Sequence, residues 1–205
     1  MKEFLLRAWG VGRWALLIIF VLYIALVIYR VPFVAEDEQT QEAIAFINAQ
    51  KLNLADVTGE RLPPSPDVAL NNATVEGVDA NENGIRDDVE LAIFERYPGD
   101  QNIEIRAAML QYALGLQLEL TQVFNSETWV AVTQSEERAS GCLLSVYSVD
   151  VNEYTGLEDY FSARSEVRGL IFNTEQRNEV ENSIERYQTT FGLLQGENCD
   201  LIFDN

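Results

Sequence analysis

Residues 103–124 read IEIRAAMLQYALGLQLELTQVF. Met109, Tyr112, Ala113, Leu116, Leu120 and Phe124 recur every three or four positions, which sets them along one stripe of an α-helix; a strand would need alternation by two. The pattern extends to both sides of this segment. Upstream, Val89, Ile93, Phe94 and Tyr97 follow Asp87 at spacings near four, and Pro98-Gly99 ends that helix. Downstream, Asn125 and Ser126 offer a cap for a helix over 127–147, and a further helix covers about 157–172. Asn173 or Thr174 caps a last one over 175–194, with Val180, Ile184, Tyr187 and Phe191 at helical spacing. Strand-like alternation is nowhere sustained. The expected fold is all-α: an N-terminal transmembrane helix, a Pro-rich linker, a single ion-binding loop and a bundle of four or five helices, whose apolar stripes are core.

Before this body the chain changes character twice. Residues 38–51 have helix-forming composition with Ile44, Phe46 and Ile47, and predict a short amphipathic helix. Leu62-Pro63-Pro64-Ser65-Pro66 then holds three of the five prolines, which fix φ and favour an extended strut over a helix. Asn72-Ala73-Thr74 matches a glycosylation acceptor, a short pattern that arises often by chance. At the other extreme, Trp14 to Tyr29 is an unbroken apolar run, WALLIIFVLYIALVIY. As a helix these 16 residues cover about 24 Å of a hydrocarbon core of about 30 Å. Snorkelling by Arg30 and the apolar stretch Val31–Ala35 close the gap, with Trp9, Trp14, Tyr23 and Tyr29 near the interfaces. The expected membrane contact is residues 14–35.

Charge orients this segment. Lys2, Arg7, Arg13 and Arg30 oppose Glu3 alone in residues 1–30, a net of +3, and the remaining 175 residues carry −22. Basic residues precede the run and Glu36, Asp37, Glu38 and Glu42 follow it. The positive-inside rule then leaves the amino terminus in the cytoplasm and the rest extracytoplasmic, at the cell membrane as a single-pass protein. A cleaved signal peptide is the competing reading; bulky Phe33, three residues back from a cut after Ala35, fits it poorly and favours an uncleaved signal anchor. The expected organisation is stub and anchor over 1–35, short helix and linker over 36–78, loop and exiting helix over 79–97, and helical bundle over 98–205.

Residues 79–90 read DANENGIRDDVE and satisfy D-x-[DN]-x-[DN]-G-x5-E in full. Calcium is a hard cation that takes six to eight oxygens at about 2.3–2.6 Å, so a tightly curled loop must converge them. Asp79, Asn81 and Asn83 supply side-chain oxygens, Gly84 allows the bend, Ile85 offers its backbone carbonyl, Asp87 binds directly or through water, and Glu90 can bind through both carboxylate oxygens. Chance agreement at the five specified positions in such a chain is on the order of one in a thousand. The bland reading is a capped turn before a helix.

The loop resembles an EF-hand calcium loop, and more closely the EF-hand-like loops of bacterial exported proteins, dockerins and thrombospondin type 3 repeats. The likeness implies calcium as cofactor and a prokaryotic source. It covers these 12 residues and the exiting helix through Tyr97. Residues 66–78 give no convincing entering helix, and Arg86 stands where an apolar residue is usual in the family, with Ile85 one place earlier. The chain holds no second loop of this kind, which argues against a paired calmodulin-like switch and against dockerin function.

Exclusions complete the reading. The net charge of −19 disfavours nucleic acid as a partner. Zero histidines remove Ser-His-Asp and Cys-His catalysis and His-ligated zinc. No Gly-rich phosphate loop, nucleophile elbow or Cys-x-x-Cys occurs, so no nucleotide partner is expected. Cys142 and Cys199 leave two alternatives: a disulfide pinning the acidic tail 197–205 to the third helix of the body, or two separate buried thiols. Glu119, Glu136 and Glu137 are candidates for a glycan hydrolase, but Glu136-Glu137 beside Arg138 reads better as a solvated helix face. The expectation is a non-enzymatic, membrane-anchored calcium-binding structural or interaction protein with a protein partner at the cell surface; the alternative is a carboxylate-based cell-wall glycan hydrolase.

Overall fold

The computed structural model describes the backbone of residues 2–150, 153–192 and 196–203, and their side chains apart from 2–13, 15 and 32. The expected interfacial Trp9 and the flanking Lys2, Glu3, Arg7 and Arg13 side chains lie outside that description, as do Leu194 and the tail residues Asp204 and Asn205. The described residues are helical without a strand; their β pairing is a single bridge between Asp150 and Thr155. Two compact units divide between Glu42 and Ala43.

The first unit is most of helix α1, Lys2–Ala49. Its stretch from Leu16 is long and apolar enough to cross a membrane, and none of the 18-residue apolar window within it is buried. Leu16, Leu22 and Ile28 are each about two-thirds exposed. By length and composition it is a candidate membrane helix. Residues 38–49 are not the separate helix expected from their composition. Beyond Pro32 the chain meets Glu36, Glu38, Gln39, Gln41 and Glu42, all good helix formers, and the helix continues without interruption to Ala49. Thr40 Oγ1 back-bonds to the Glu36 carbonyl at 2.8 Å within this stretch.

The second unit, Ala43–Asn205, is built around helix α5, Ile103–Gln122. Every residue from Arg106 to Leu118 is buried, so α5 is a central rod with neighbours on all sides, where the sequence pattern predicts a single apolar stripe. Gln111 and Gln117 sit inside because each has partners. Gln111 Nε2 donates to the Asn198 carbonyl at 2.7 Å, its Oε1 accepts from the Asp200 amide at 2.9 Å, and Gln117 Nε2 donates to the Glu76 carbonyl at 2.9 Å. Around α5 pack α4 (Asp87–Arg96), α6 (Ser126–Val146), α7 (Leu157–Ile171), α8 (Glu175–Ile184) and the short α2 (Leu54–Thr58). A one-turn helix α3, Val68–Asn71, follows the proline stretch, which itself has no regular structure over 62–67.

Caps read from the sequence hold. Asn125 accepts from the Thr128 amide at 2.9 Å, Thr128 Oγ1 returns to the Asn125 amide, and Thr174 caps α8. The last helix is shorter than expected. Regular α-helix stops at Ile184, one 3₁₀ turn covers Glu185–Tyr187, and the chain then leaves the helix. The β-branched pair Thr189-Thr190 favours that exit. Phe191 therefore stands outside the helix and packs edge-on against Trp129, ring centroids 5.7 Å apart. Of the two alternatives for the cysteines, pairing is what the structure has: Cys142 on α6 and Cys199 lie at disulfide distance, with Cα atoms 4.8 Å apart.

Candidate functional site

The loop over 79–90 joins the irregular segment to α4. The Asp79 carboxylate gathers the turn, Oδ1 accepting from the Asn83 amide at 3.2 Å and Oδ2 from the Gly84 amide at 2.8 Å. Asn83 Oδ1 accepts from the Ile85 amide at 2.9 Å. Glu82 and Gly84 take the left-handed conformation, φ +56° and +84°. At Gly84 a Cβ would also approach Leu114 Cδ1 to 2.8 Å, so both backbone and space call for glycine. The Asp87 amide bonds to the Val78 carbonyl at 2.8 Å and closes the loop. Ile85, Val89 and Ile93 are all but sealed in the core and fasten the loop and α4 to it.

Five of the six expected ligand residues, Asp79, Asn81, Asn83, Ile85 and Glu90, are joined by hydrogen bonds, and Asp87 is tied to the same loop through the Ala80 amide. Glu90 is fully buried; its Oε2 accepts from Asn81 Nδ2 at 2.9 Å and from Asn83 Nδ2 at 3.1 Å. Asp87, also buried, accepts from the Ala80 amide through Oδ1 at 2.9 Å. Ile85 takes part through its position in the chain, its side chain being committed to the core. What remains is chemically pointed. Asn81 Oδ1, Asp87 Oδ2 and Glu90 Oε1 are buried and have no hydrogen-bond partner. An orphaned oxygen in such a place costs on the order of 1–3 kcal/mol, more when charged, so each of the three is open to a partner from outside the chain.

Electrostatics agree. Burial drives the Glu90 carboxyl up to about 7, against the two amide hydrogen bonds that favour its charge, with Asp56 and Asp87 adding repulsion. Burial also raises Asp87, opposed by the Ala80 amide. Among the described residues no three Asp, Glu or Cys side chains form a metal-holding group by themselves. A mixed set of carboxylate, amide and carbonyl oxygens is the donor chemistry of a hard cation such as calcium, and the orphaned oxygens fit it.

Three residues that pattern reading passed over hold this region in place. Arg86 departs from the family pattern on the sequence. Here it is fully buried, its guanidinium donating to the Leu170 and Ile171 carbonyls at the end of α7 at 2.6 and 3.2 Å and to Asp88 at 2.5 Å. A cation at a helix C-terminus satisfies carbonyls that have no helical partner. A Cβ on Gly77 would overlap Arg86 Cγ at 2.8 Å, so glycine makes room for the arginine. Arg177 spends all five N–H groups on the Asn71, Thr74 and Val75 carbonyls and on Asn72 and Asn173 Oδ1. Arg106 binds the Val57, Tyr97 and Gly99 carbonyls. Only the Arg86–Asp88 spacing hints at any of this in the sequence; the carbonyls lie far along the chain.

The reading of Glu136 as part of a solvated face needs correction. Exposed Glu137 fits that description, whereas the Glu136 carboxyl is desolvated and hydrogen-bonded to Glu119 from α5. Burial and mutual repulsion raise Glu136 well above the ordinary range. Glu119 is raised chiefly by burial, against the pull of Arg168, which also binds Glu181. A cavity of about 220 Å³ beside α6 is lined by Gln134, Glu137, Arg138, Tyr160 and Arg164, not by this pair.

No family model, curated protein or solved structure matches the chain.

Proposed function

We propose that this chain is a single-pass membrane protein whose extracytoplasmic helical body carries one calcium-binding loop, and that it serves as a structural or interaction module at the cell surface. The observation that carries the reading is the trio of buried, unpartnered oxygens on Asn81, Asp87 and Glu90. Asp79, Asn83 and the Ile85 carbonyl complete the donor set. The cation compensates carboxylates that burial otherwise keeps from ionising, and so fixes the loop between the irregular segment and α4. Location is supported by the exposed apolar helix, by the +3 and −22 division of charge, and by the cysteine pair, which persists in oxidising surroundings. Three formal negative charges in the set match an affinity on the order of 10⁻⁴–10⁻³ M, that of a staple in calcium-rich surroundings.

Calorimetry on the full chain in detergent micelles tests the loop. One calcium per chain is expected, with the heat abolished in the double variant Asp79→Ala, Glu90→Gln. Heats that persist in that variant remove the loop from the account. Protease accessibility in sealed vesicles of known orientation tests which side of the membrane the body occupies.

One observation favours a second reading, a carboxylate glycan hydrolase: Glu119 and Glu136 are paired and both are desolvated. Two features weigh against it. Hydrogen-bonded carboxyls leave no room for a sugar, since hydrolases hold theirs about 5–10 Å apart, and the neighbouring cavity is lined by other residues. Release of reducing sugar from a cell-wall glycan, lost in Glu136→Gln, would reverse that preference.

A further inference from the structure

We propose that cation binding at the loop locks down the segment Asn53–Leu62, which precedes the proline stretch, with Arg61 as the coupling residue. The inference rests on the calcium reading above and adds to it a second element under the ion's control. Nothing in the loop motif requires Arg61; the geometry supplies it.

Three pieces of chain meet at Asn81. Its backbone carbonyl accepts from the Arg61 guanidinium, and its Nδ2 donates back to the Arg61 carbonyl at 2.9 Å. The same Nδ2 donates to Glu90 Oε2 at 2.9 Å. One side-chain amide therefore ties the backbone of Arg61 to the deepest carboxylate of the site, while its Oδ1 is left buried and without a partner. A cation that binds Asn81 Oδ1 and Glu90 Oε1 fixes the orientation of that amide, and with it both donations from Nδ2.

Charge works in the same direction. Arg61 also pairs with Asp56 at 3.3 Å, and the Asp56 side chain is almost fully buried. Asp56 in turn bonds to the Asn53 amide at 3.1 Å in the capping box of α2. The half-exposed Arg61 thus bridges the buried Asp56 carboxylate of the segment and the Asn81 carbonyl of the loop. A cation held by Asn81 and Glu90 fixes the loop end of that bridge, and with it the Asp56 end. Binding and docking are then two views of one equilibrium, and each must favour the other by the same factor.

Hydrogen exchange on the full chain in detergent, with calcium and with chelator, reads this directly. Calcium is expected to slow exchange over 53–62 as well as over 79–90, by about fivefold or more. In Arg61→Ala the protection over 53–62 is lost, that over 79–90 remains, and calorimetry shows calcium bound about fivefold or more weaker. The Arg61 side chain is 43% exposed, so this variant keeps its core. Calcium that binds wild type with no change over 53–62, or an Arg61→Ala chain matching wild type in affinity and protection, overturns the coupling alone. Absence of any calcium heat in wild type overturns the site as well.

Discussion

Arg86 places a permanent charge where the core is tightest, and its stability there rests on carbonyls it did not inherit from its own helix. Replacing it by alanine leaves the Leu170 and Ile171 carbonyls and the Asp88 carboxylate short of a donor and opens a hole beside Gly77. Buried groups stranded this way cost about 3 kcal/mol or more. Urea unfolding of Arg86→Ala is expected to show that loss, whether calcium or chelator is present, because the residue serves packing and not ligation. A loss confined to calcium-loaded protein would place Arg86 in the ion site instead. At this scale the sequence is legible where chemistry is local. Asp79, Asn81, Asn83, Asp87 and Glu90 lie within 12 residues, so spacing alone predicts that they share a loop. Arg86, Arg106 and Arg177 are illegible for the opposite reason. Their partners are backbone carbonyls, which every residue has and no pattern marks. Arg177 reaches Asn71 across 106 positions.

At the level of elements, the contact of α5 with α6 contains the Glu119–Glu136 pair, with Arg168 and Arg164 of α7 and Glu181 of α8 near it. Both carboxyls titrate above their unfolded value, so the folded state holds protons more tightly than the unfolded chain. The stability this brings is complete below the unfolded value and is lost as pH rises through the folded values. Melting temperatures of wild type and Glu136→Gln at ~pH 5 and ~pH 8 are expected to show a smaller fall for the variant, since glutamine keeps a donor for Glu119 and never ionises. An equal fall in both would locate the proton elsewhere, with Glu90 as the next group to examine. Helix positions were foreseeable because the 3.6-residue period is strong and Asn125, Thr174 and Pro98-Gly99 mark boundaries. Two element-level expectations miss for lack of a local sign. Nothing in Glu38–Lys51 announces that α1 reaches it unbroken, and α5 keeps glutamines at 111 and 117 that look like a polar face until their partners, Asn198, Asp200 and Glu76, are seen.

For the whole second unit, the bond between Cys142 and Cys199 spans 57 residues. On chain entropy alone, closing a loop of that length stabilises by about 4 kcal/mol, with native strain or residual structure subtracting from it. Cys142→Ser with Cys199→Ser is accordingly expected to lower the urea midpoint without changing the helix signal by circular dichroism. An unchanged midpoint would mean that the tail is held by its other contacts. Those contacts are substantial. Asp200 pairs with Arg138 at 2.7 Å and accepts from the Leu52 amide at 3.2 Å, with its carboxylate almost fully buried.

That last bond has a mechanical meaning. Leu52 stands near the start of the second unit and Asp200 near its far end, 148 positions on, yet they are fastened to each other. Tension arriving along the chain from α1 meets this junction directly after the buried Ile47. It passes through Asp200 to the covalent bridge at Cys199 and so into α6, alongside the route through α2 and the loop. The load is shared with the middle of the bundle at once, and the unit resists being unzipped from its leading edge.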